Sequence, residues 1–172
     1  MPVREIVTLP NDVLRRKARV VTDFGPELQS LIDDMVETMR AAPGVGLAAP
    51  QVNVSQRVIV VEFGDEDDEE VPRKLHVVVN PRIKRPSRDK ELGQEGCLSI
   101  PGLVGDVERS ISVTVKGQNR RGHNIKIKAE GWLARIFQHE VDHINGVLFI
   151  DKAERIYTLE ELEEESDPKT TV

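Results

Sequence analysis

Gln138-His139-Glu140-Val141-Asp142-His143 carries the strongest chemical signal in the chain. On a helix, His139 and His143 stand four residues apart, so both imidazoles project from one face. That spacing lets two nitrogens share one divalent metal, with Glu140 between them placed to act on a water at the metal. Two histidines do not complete a catalytic site: a third protein ligand is needed, and one position must stay open for water. Cys97 is the candidate, within Gln94-Glu95-Gly96-Cys97-Leu98-Ser99-Ile100-Pro101-Gly102. The glycines and proline of this run describe a tightly turned loop at a strand end, where backbone can approach a ligand closely. Read alone, Cys97 is as readily a small buried hydrophobe; the His-Glu-x-x-His run favours the ligand reading.

A third cluster is Pro43-Gly44-Val45-Gly46-Leu47-Ala48-Ala49-Pro50-Gln51. Its small residues would let a peptide main chain lie against the protein, and Gln51 offers an amide N–H to a developing oxyanion. No Lys-Ser/Thr pair follows, which excludes a phosphate cradle of the usual form. Gly44 serves equally well as a helix C-cap.

Taken in order, the three clusters resemble the signatures of peptide deformylases, enzymes that remove the N-formyl group from nascent polypeptides. Asp12-Val13-Leu14-Arg15 and Asn145-Gly146-Val147-Leu148-Phe149 are similar too, so the resemblance spans roughly residues 3 to 150. It implies that Cys97, His139 and His143 ligate one divalent metal, Fe(II) in the native enzyme, with Zn(II), Ni(II) or Co(II) also accommodated. It further implies Glu140 as the base and then acid, with the Leu98 backbone N–H and the Gln51 side chain at the oxyanion. Gly46 matches the position that bonds the substrate main chain, and Val45, Trp132 and Ile136 match the lining of the methionine pocket. Trp132 is equally a core anchor. Gly93 stands where relatives often carry a larger apolar residue. Glu95 and Arg109 are placed to pair and hold the cysteine loop, whereas Asp142 either orients an imidazole or forms a local salt bridge.

The elements that must position these residues are legible in part. The apolar period predicts a helix from about Pro26 to Ala42, buried through Leu28, Leu31, Ile32, Met35, Val36 and Met39, with Asp33, Asp34 and Glu37 facing water. Strands are expected at Val58 to Phe63, Leu75 to Asn80, Ile111 to Lys116 and Ile125 to Lys128, and a short helix near Val13. The motif helix should run from about Gly131 to Ile144, anchored by Leu133, Ile136, Phe137 and Val141 and ended by Asn145-Gly146. The expected fold is α+β, with antiparallel-rich sheets around a central helix carrying the metal motif, in one catalytic domain over residues 1–172.

At 172 residues with 38% hydrophobic and 31% charged content, the composition is that of an ordinary soluble domain. No stretch has the apolar length of a membrane span, the N-terminus lacks signal-peptide or transit character, and one cysteine suits a reducing compartment, so the cytoplasm is expected. The net charge of −6 argues against broad nucleic-acid binding, which depends on neutralising phosphates, and no direct sequence-specific nucleic-acid binding is expected. Acid concentrates in 65–70, read as a solvated hairpin loop, and in a C-terminal tail from about 158. That tail would be repelled by ribosomal phosphates if a basic C-terminus were the route to a transient ribosome contact. Leu159 and Leu162 give it a short amphipathic stretch that either docks or frays. The expected partners are N-formylmethionyl peptides and nascent chains. Two other readings stand beside this one. An H-E-x-x-H metallopeptidase is weakened because no histidine follows His143, and a non-catalytic metal- or peptide-binding module would need neither Glu140 nor Gln51.

Overall fold

The computed structural model describes residues 3–64 and 73–165, apart from the side chains of 164 and 165. The acidic run 65–70 lies outside the described residues. In chain order the strands are β1 (Gly46–Ala48), β2 (Val58–Phe63), β3 (Lys74–Lys84), β4 (Lys90–Cys97), β5 (Ile100–Ser110), β6 (Ser112–Gln118), β7 (Asn124–Glu130) and β8 (Ala153–Thr158). The helices are α1 (Pro26–Ala41), α2 (Gly131–Ile144), α3 (Phe149–Lys152) and α4 (Leu159–Glu165). An antiparallel five-stranded sheet has the order β1-β2-β3-β6-β7, and a second, three-stranded sheet has the order β4-β5-β8. This is an α+β fold.

α2 carries the motif and lies against the larger sheet. Ala134, Ile136, Phe137, Val141 and Ile144 pack with Ile59, Val61, Val78, Val113 and Val115. α1 covers the opposite side of β2, where Leu31, Ile32, Met35 and Met39 meet Val58 and Val60. Helices on both faces of β2 explain why Val58-Ile59-Val60-Val61 is continuously apolar rather than alternating. Each of these large side chains, fully buried, stabilises the fold by roughly 1.5–3 kcal/mol relative to exposure.

α1 begins at Pro26, whose fixed φ suits a first helical position, and Gly44 N–H closes onto Met39 O at 2.8 Å beyond its end. One α1 expectation fails. Asp34 is buried, because Arg4 crosses the helix and donates from Nε to Asp34 Oδ2 at 2.9 Å, while Arg4 N–H bonds Thr38 Oγ1. At the far end of α2, Gly146 adopts φ +76°, and a Cβ there would come within 2.6 Å of Arg15 O. Glycine is therefore required on both conformational and steric grounds.

The smaller sheet was not expected. β4 and β5 contain Gly93, Gly96, Pro101, Gly102 and Gly105, which locally read as turns. They form strands because β4 pairs along β5 from Lys90↔Ser110 to Glu95↔Gly105, and β5 is covered by α3. A Cβ on Gly105 would fall 3.0 Å from the Phe149 ring and 2.9 Å from Ala153 Cβ, so this glycine makes room for close packing. The described part of the tail packs on the smaller sheet: β8 adds to β5, and Leu162 of α4 is buried with Val104 and Tyr157.

Candidate metal centre and substrate cleft

Cys97 closes β4. A register shift after Glu95 re-aims the strand, and Cys97 pairs with Ile100 across the two-residue turn Leu98-Ser99. That places the thiol over the buried face of α2. The ligand atoms of Cys97, His139 and His143 all lie within 4.8 Å of one another, with Cys97 Sγ 3.2 Å from His143 Nε2. Glu95 is fully buried and contacts His139 Nδ1 at 2.8 Å, which fixes the tautomer with Nδ1–H donating and leaves Nε2 free for a metal. One soft sulfur and two imidazole nitrogens around a shared point fit a single divalent transition-metal ion.

A network of charges surrounds this set. Arg109 grips Glu95 with two parallel bonds of 2.9 Å and reaches Asp142 Oδ2 at 2.5 Å, so Asp142 forms a salt bridge to Arg109 and Lys152 rather than orienting an imidazole. Burial opposes the charged form of Glu95, but hydrogen bonds from Arg109 and His139 outweigh it and hold its carboxyl well below the ordinary range. Burial likewise works against protonated His139, while bonds to Cys97 and Glu95 raise its pKa. His143 is lowered, by burial and then by the neighbouring His139 charge.

Arg135 belongs to this network, and motif reading missed it. It lies one helical turn before His139 and is buried. Nη1 donates to Glu95 Oε2 at 2.6 Å and to Val107 O at 2.8 Å, and Nη2 donates to Glu91 O at 2.6 Å. A Cβ on Gly93 would fall 2.7 Å from Arg135 Cζ. Gly93 is small because Arg135 occupies the space beside it. The available signal was a cation on the core side of an otherwise apolar helix face, together with an unexplained glycine.

Glu140 is buried beside the triad, and burial is the main cause pushing its carboxyl up to about 7; a dication at the triad would pull it back down. Its Oε1 has no hydrogen-bond partner among the described residues. Gly46 in β1 sits directly over it: a Cβ there would come within 2.5 Å of Glu140 Oε2. Gln51 follows β1 in a short 3-10 turn. Its Oε1 accepts Ala48 N–H at 3.0 Å, and Nε2 points to Ser99 Oγ at 3.2 Å and Cys97 Sγ at 3.7 Å. The amide is thus oriented from both ends.

These residues open into a cleft of about 230 Å3. It is lined by Gly44, Val45 and Gly46, by Gly96, Leu98 and Ile100, and by Leu103, Val104 and Leu159, together with Cys97, His139, Glu140 and Gln51. Gathered here are Val45, Gly46, Gln51, Cys97, Leu98, His139 and Glu140, with His143 against Cys97. Trp132 and Ile136 are not brought to the cleft. Trp132 is seven residues, about 10 Å of helix axis, before His139. It is partly exposed in a separate groove with Gly93, Ile111 and Arg135. Ile136 lies one turn before Glu140 and is spent on the core.

Comparison with known proteins agrees with this geometry. Residues 3–158 match the family model described as polypeptide deformylase. The peptide deformylase of Halothermothrix orenii is 53% identical over 156 residues, which cover 91% of this chain and 97% of that protein. That of Desulforudis audaxviator is 48% identical over 161 residues, 94% of this chain and 100% of its own length. Among solved structures, the Thermotoga maritima peptide deformylase superposes with a TM-score of 0.83 at 41% identity, over 90% of this chain and 100% of that one. The Met-Ala-Ser-bound enzyme of Acinetobacter baumannii superposes at 0.81 and 39% identity, over 88% and 98%. With the family's motifs folded into one metal-binding cleft and relatives matching across nearly the whole chain, the protein belongs to the peptide deformylase family.

Proposed function

We propose that this cleft performs the family's metal-dependent reaction, removal of the formyl group from formyl-methionine at the N-terminus of nascent polypeptides, through the following residues. Cys97, His139 and His143 hold one divalent ion, Fe(II) in the cell, in a set that also accepts Zn(II), Ni(II) or Co(II). When bound, that ion supplies Lewis acidity and makes water nucleophilic near neutral pH. The carboxylate of Glu140 takes the proton from the attacking water and returns it to the amine nitrogen as the C–N bond to the formyl carbon breaks, so formate and a free N-terminal methionine leave. Gln51 Nε2–H and the Leu98 backbone N–H donate to the oxygen that gains charge at the tetrahedral stage. Gly46 and Val45 align the substrate main chain along β1. The observation that carries this reading is Glu140: a buried carboxylate beside three atoms that could hold a metal, with Oε1 lacking a hydrogen-bond partner among the described residues.

The partners are therefore formyl-methionyl peptides and nascent chains. The Met-Ala-Ser bound to the Acinetobacter baumannii enzyme is the kind of product such a cleft would release. No described helix is long and apolar enough to cross a membrane; a cytoplasmic location with transient contact to the ribosome suits a substrate that emerges there. The reading is tested by loading the purified protein anaerobically with Fe(II) or Zn(II) and following formate release from formyl-Met-Ala. Formate release, faster with Fe(II), is expected. Cleavage of an internal amide in a blocked peptide without formate would instead identify a metallopeptidase.

A further inference from the structure

After its last strand the chain returns to the cleft. β8 pairs along β5, with Val104 opposite Tyr157 and Leu103 opposite Thr158, and α4 begins at the next residue, Leu159. Leu159 lines the same cleft as Cys97, His139 and Glu140. α4 is held in place from two sides: Leu162 is buried with Val104 and Tyr157, and Thr158 Oγ1 accepts the Glu161 N–H at 3.1 Å. Leu159 itself is 48% exposed. An anchored helix thus presents a half-covered leucine to the cavity that contains Cys97 and His139. Leu159 stands one residue past the family match, which ends at 158.

Distance from the reacting atoms decides which part of a substrate this leucine meets. Cys97 pairs with Ile100, and Leu103 is three residues further along β5, roughly 10 Å of strand. An extended peptide with its formyl carbon beside Cys97 advances about 3.3–3.6 Å per residue. Methionine falls within one such step of the formyl carbon, the second residue within two and the third within three, roughly 10 Å out and level with Leu103. Successive side chains of an extended chain point to opposite sides, so the second and third residues do not both face Leu159.

We propose that Leu159 is a specificity residue of this cleft, covering an apolar side chain on the third residue of a formyl-methionyl substrate. This rests on the deformylase reading and extends it two residues beyond the methionine. Ile100 and Leu103 line the cleft with Leu159, so a leucine at that substrate position is covered by apolar groups, whereas a serine leaves Leu159 wet. Burying the uncovered half of a leucine is worth roughly three- to tenfold in affinity. The contact is far from the bonds that change, so it is equal in ground and transition states; it lowers KM and leaves kcat alone. Glu160 and Glu161, exposed beside Leu159, offer the rival occupant, a lysine at the same substrate position.

The test follows formate release by Fe(II)-loaded, full-length protein from the amides of formyl-Met-Ala-Leu, formyl-Met-Ala-Ser and formyl-Met-Ala-Lys. Wild type should show a KM for the leucine peptide roughly three- to tenfold below that for the serine peptide, at equal kcat. Leu159→Ser should shrink that preference to about twofold or less, and Leu159→Met, which keeps an apolar side chain, should retain it. Calorimetric affinities for the product amides of Met-Ala-Leu and Met-Ala-Ser should show the same ratio and the same loss of it in Leu159→Ser. Formate release with equal KM for leucine and serine, a preference undiminished in Leu159→Ser, or a preference led by lysine would overturn the proposal and leave the deformylase reading standing. A metal-replete wild type that releases no formate from any of the three would remove that reading, and the proposal with it.

Discussion

Substituting Gly93 by alanine adds one methyl group outside the cleft, yet it should loosen the metal centre through Arg135. The added Cβ would stand 2.7 Å from Arg135 Cζ and 2.9 Å from Nε and Nη2. Ordinary contact begins near 3.4 Å, so the guanidinium must retreat by about 0.7 Å. It is held by bonds of 2.6 Å to Glu95 Oε2, 2.8 Å to Val107 O and 2.6 Å to Glu91 O, and that retreat lengthens at least one beyond useful range. A charge-assisted hydrogen bond contributes roughly 1.5–3 kcal/mol, so Gly93→Ala should cost about 2 kcal/mol in urea unfolding of the metal-loaded protein. The decisive assay is a double-mutant cycle with Arg135→Met, whose flexible apolar side chain can yield to the new methyl. In that background Gly93→Ala should cost close to nothing, giving a coupling of about 2 kcal/mol. An equal cost in both backgrounds would refute the reasoning, because the methyl would then be striking something other than the guanidinium.

Three other outcomes follow from the same geometry. Glu95→Gln keeps an acceptor for His139 but removes the charge that Arg109 and Arg135 balance; metal affinity measured by chelator competition should fall 10- to 100-fold. Gln51→Ala should lower kcat by roughly 10²–10³ with KM and metal content little changed, as for loss of one oxyanion donor; a change confined to KM would make Gln51 a ground-state contact. Glu62 has a lowered pKa, chiefly through its hydrogen bond from Arg40, against the opposing effect of burial. Its stabilisation is therefore fully present above the unfolded-state value near 4.5 and is lost as pH falls through the lower folded value. Glu62→Gln should be less stable than wild type by about 1 kcal/mol at pH 7, and the gap should shrink as pH falls below 4.5 and close once pH is under the lower folded value; a gap that persists in strong acid would reflect packing.

The sequence was most legible where chemistry and periodicity coincide. α2 runs from Gly131 to Ile144 as expected, because its apolar spacing, its metal motif and its glycine exit all demand the same helix. β2 and α1 were legible for the same reason. β4 and β5 were not, because their glycines serve contacts distant in sequence. Gly105 accommodates Phe149, and Gly93 accommodates Arg135. In the site, motif residues converge, while the pocket residues taken from resemblance divide: Val45 and Gly46 reach the cleft, and Trp132 and Ile136 do not. Helix phase does not separate them, since Trp132 and Ile136 share a face with His139 and Glu140; they lie two turns and one turn earlier along α2, where Ile136 packs into the core and Trp132 reaches another groove. Arg135 was easily passed over because a cation on a helix normally reads as solvated surface; the tertiary partners Glu95, Val107 and Glu91 give its core-side position a meaning.

The central claim is that Glu140 moves the proton while Cys97, His139 and His143 hold the metal. Formate release from formyl-Met-Ala should be compared between Fe(II)-loaded wild type and Glu140→Ala, with metal content determined on the same samples. The account predicts about one metal per chain in both proteins and turnover in wild type alone. Turnover by the variant, or a metal-replete wild type that releases no formate, would contradict it.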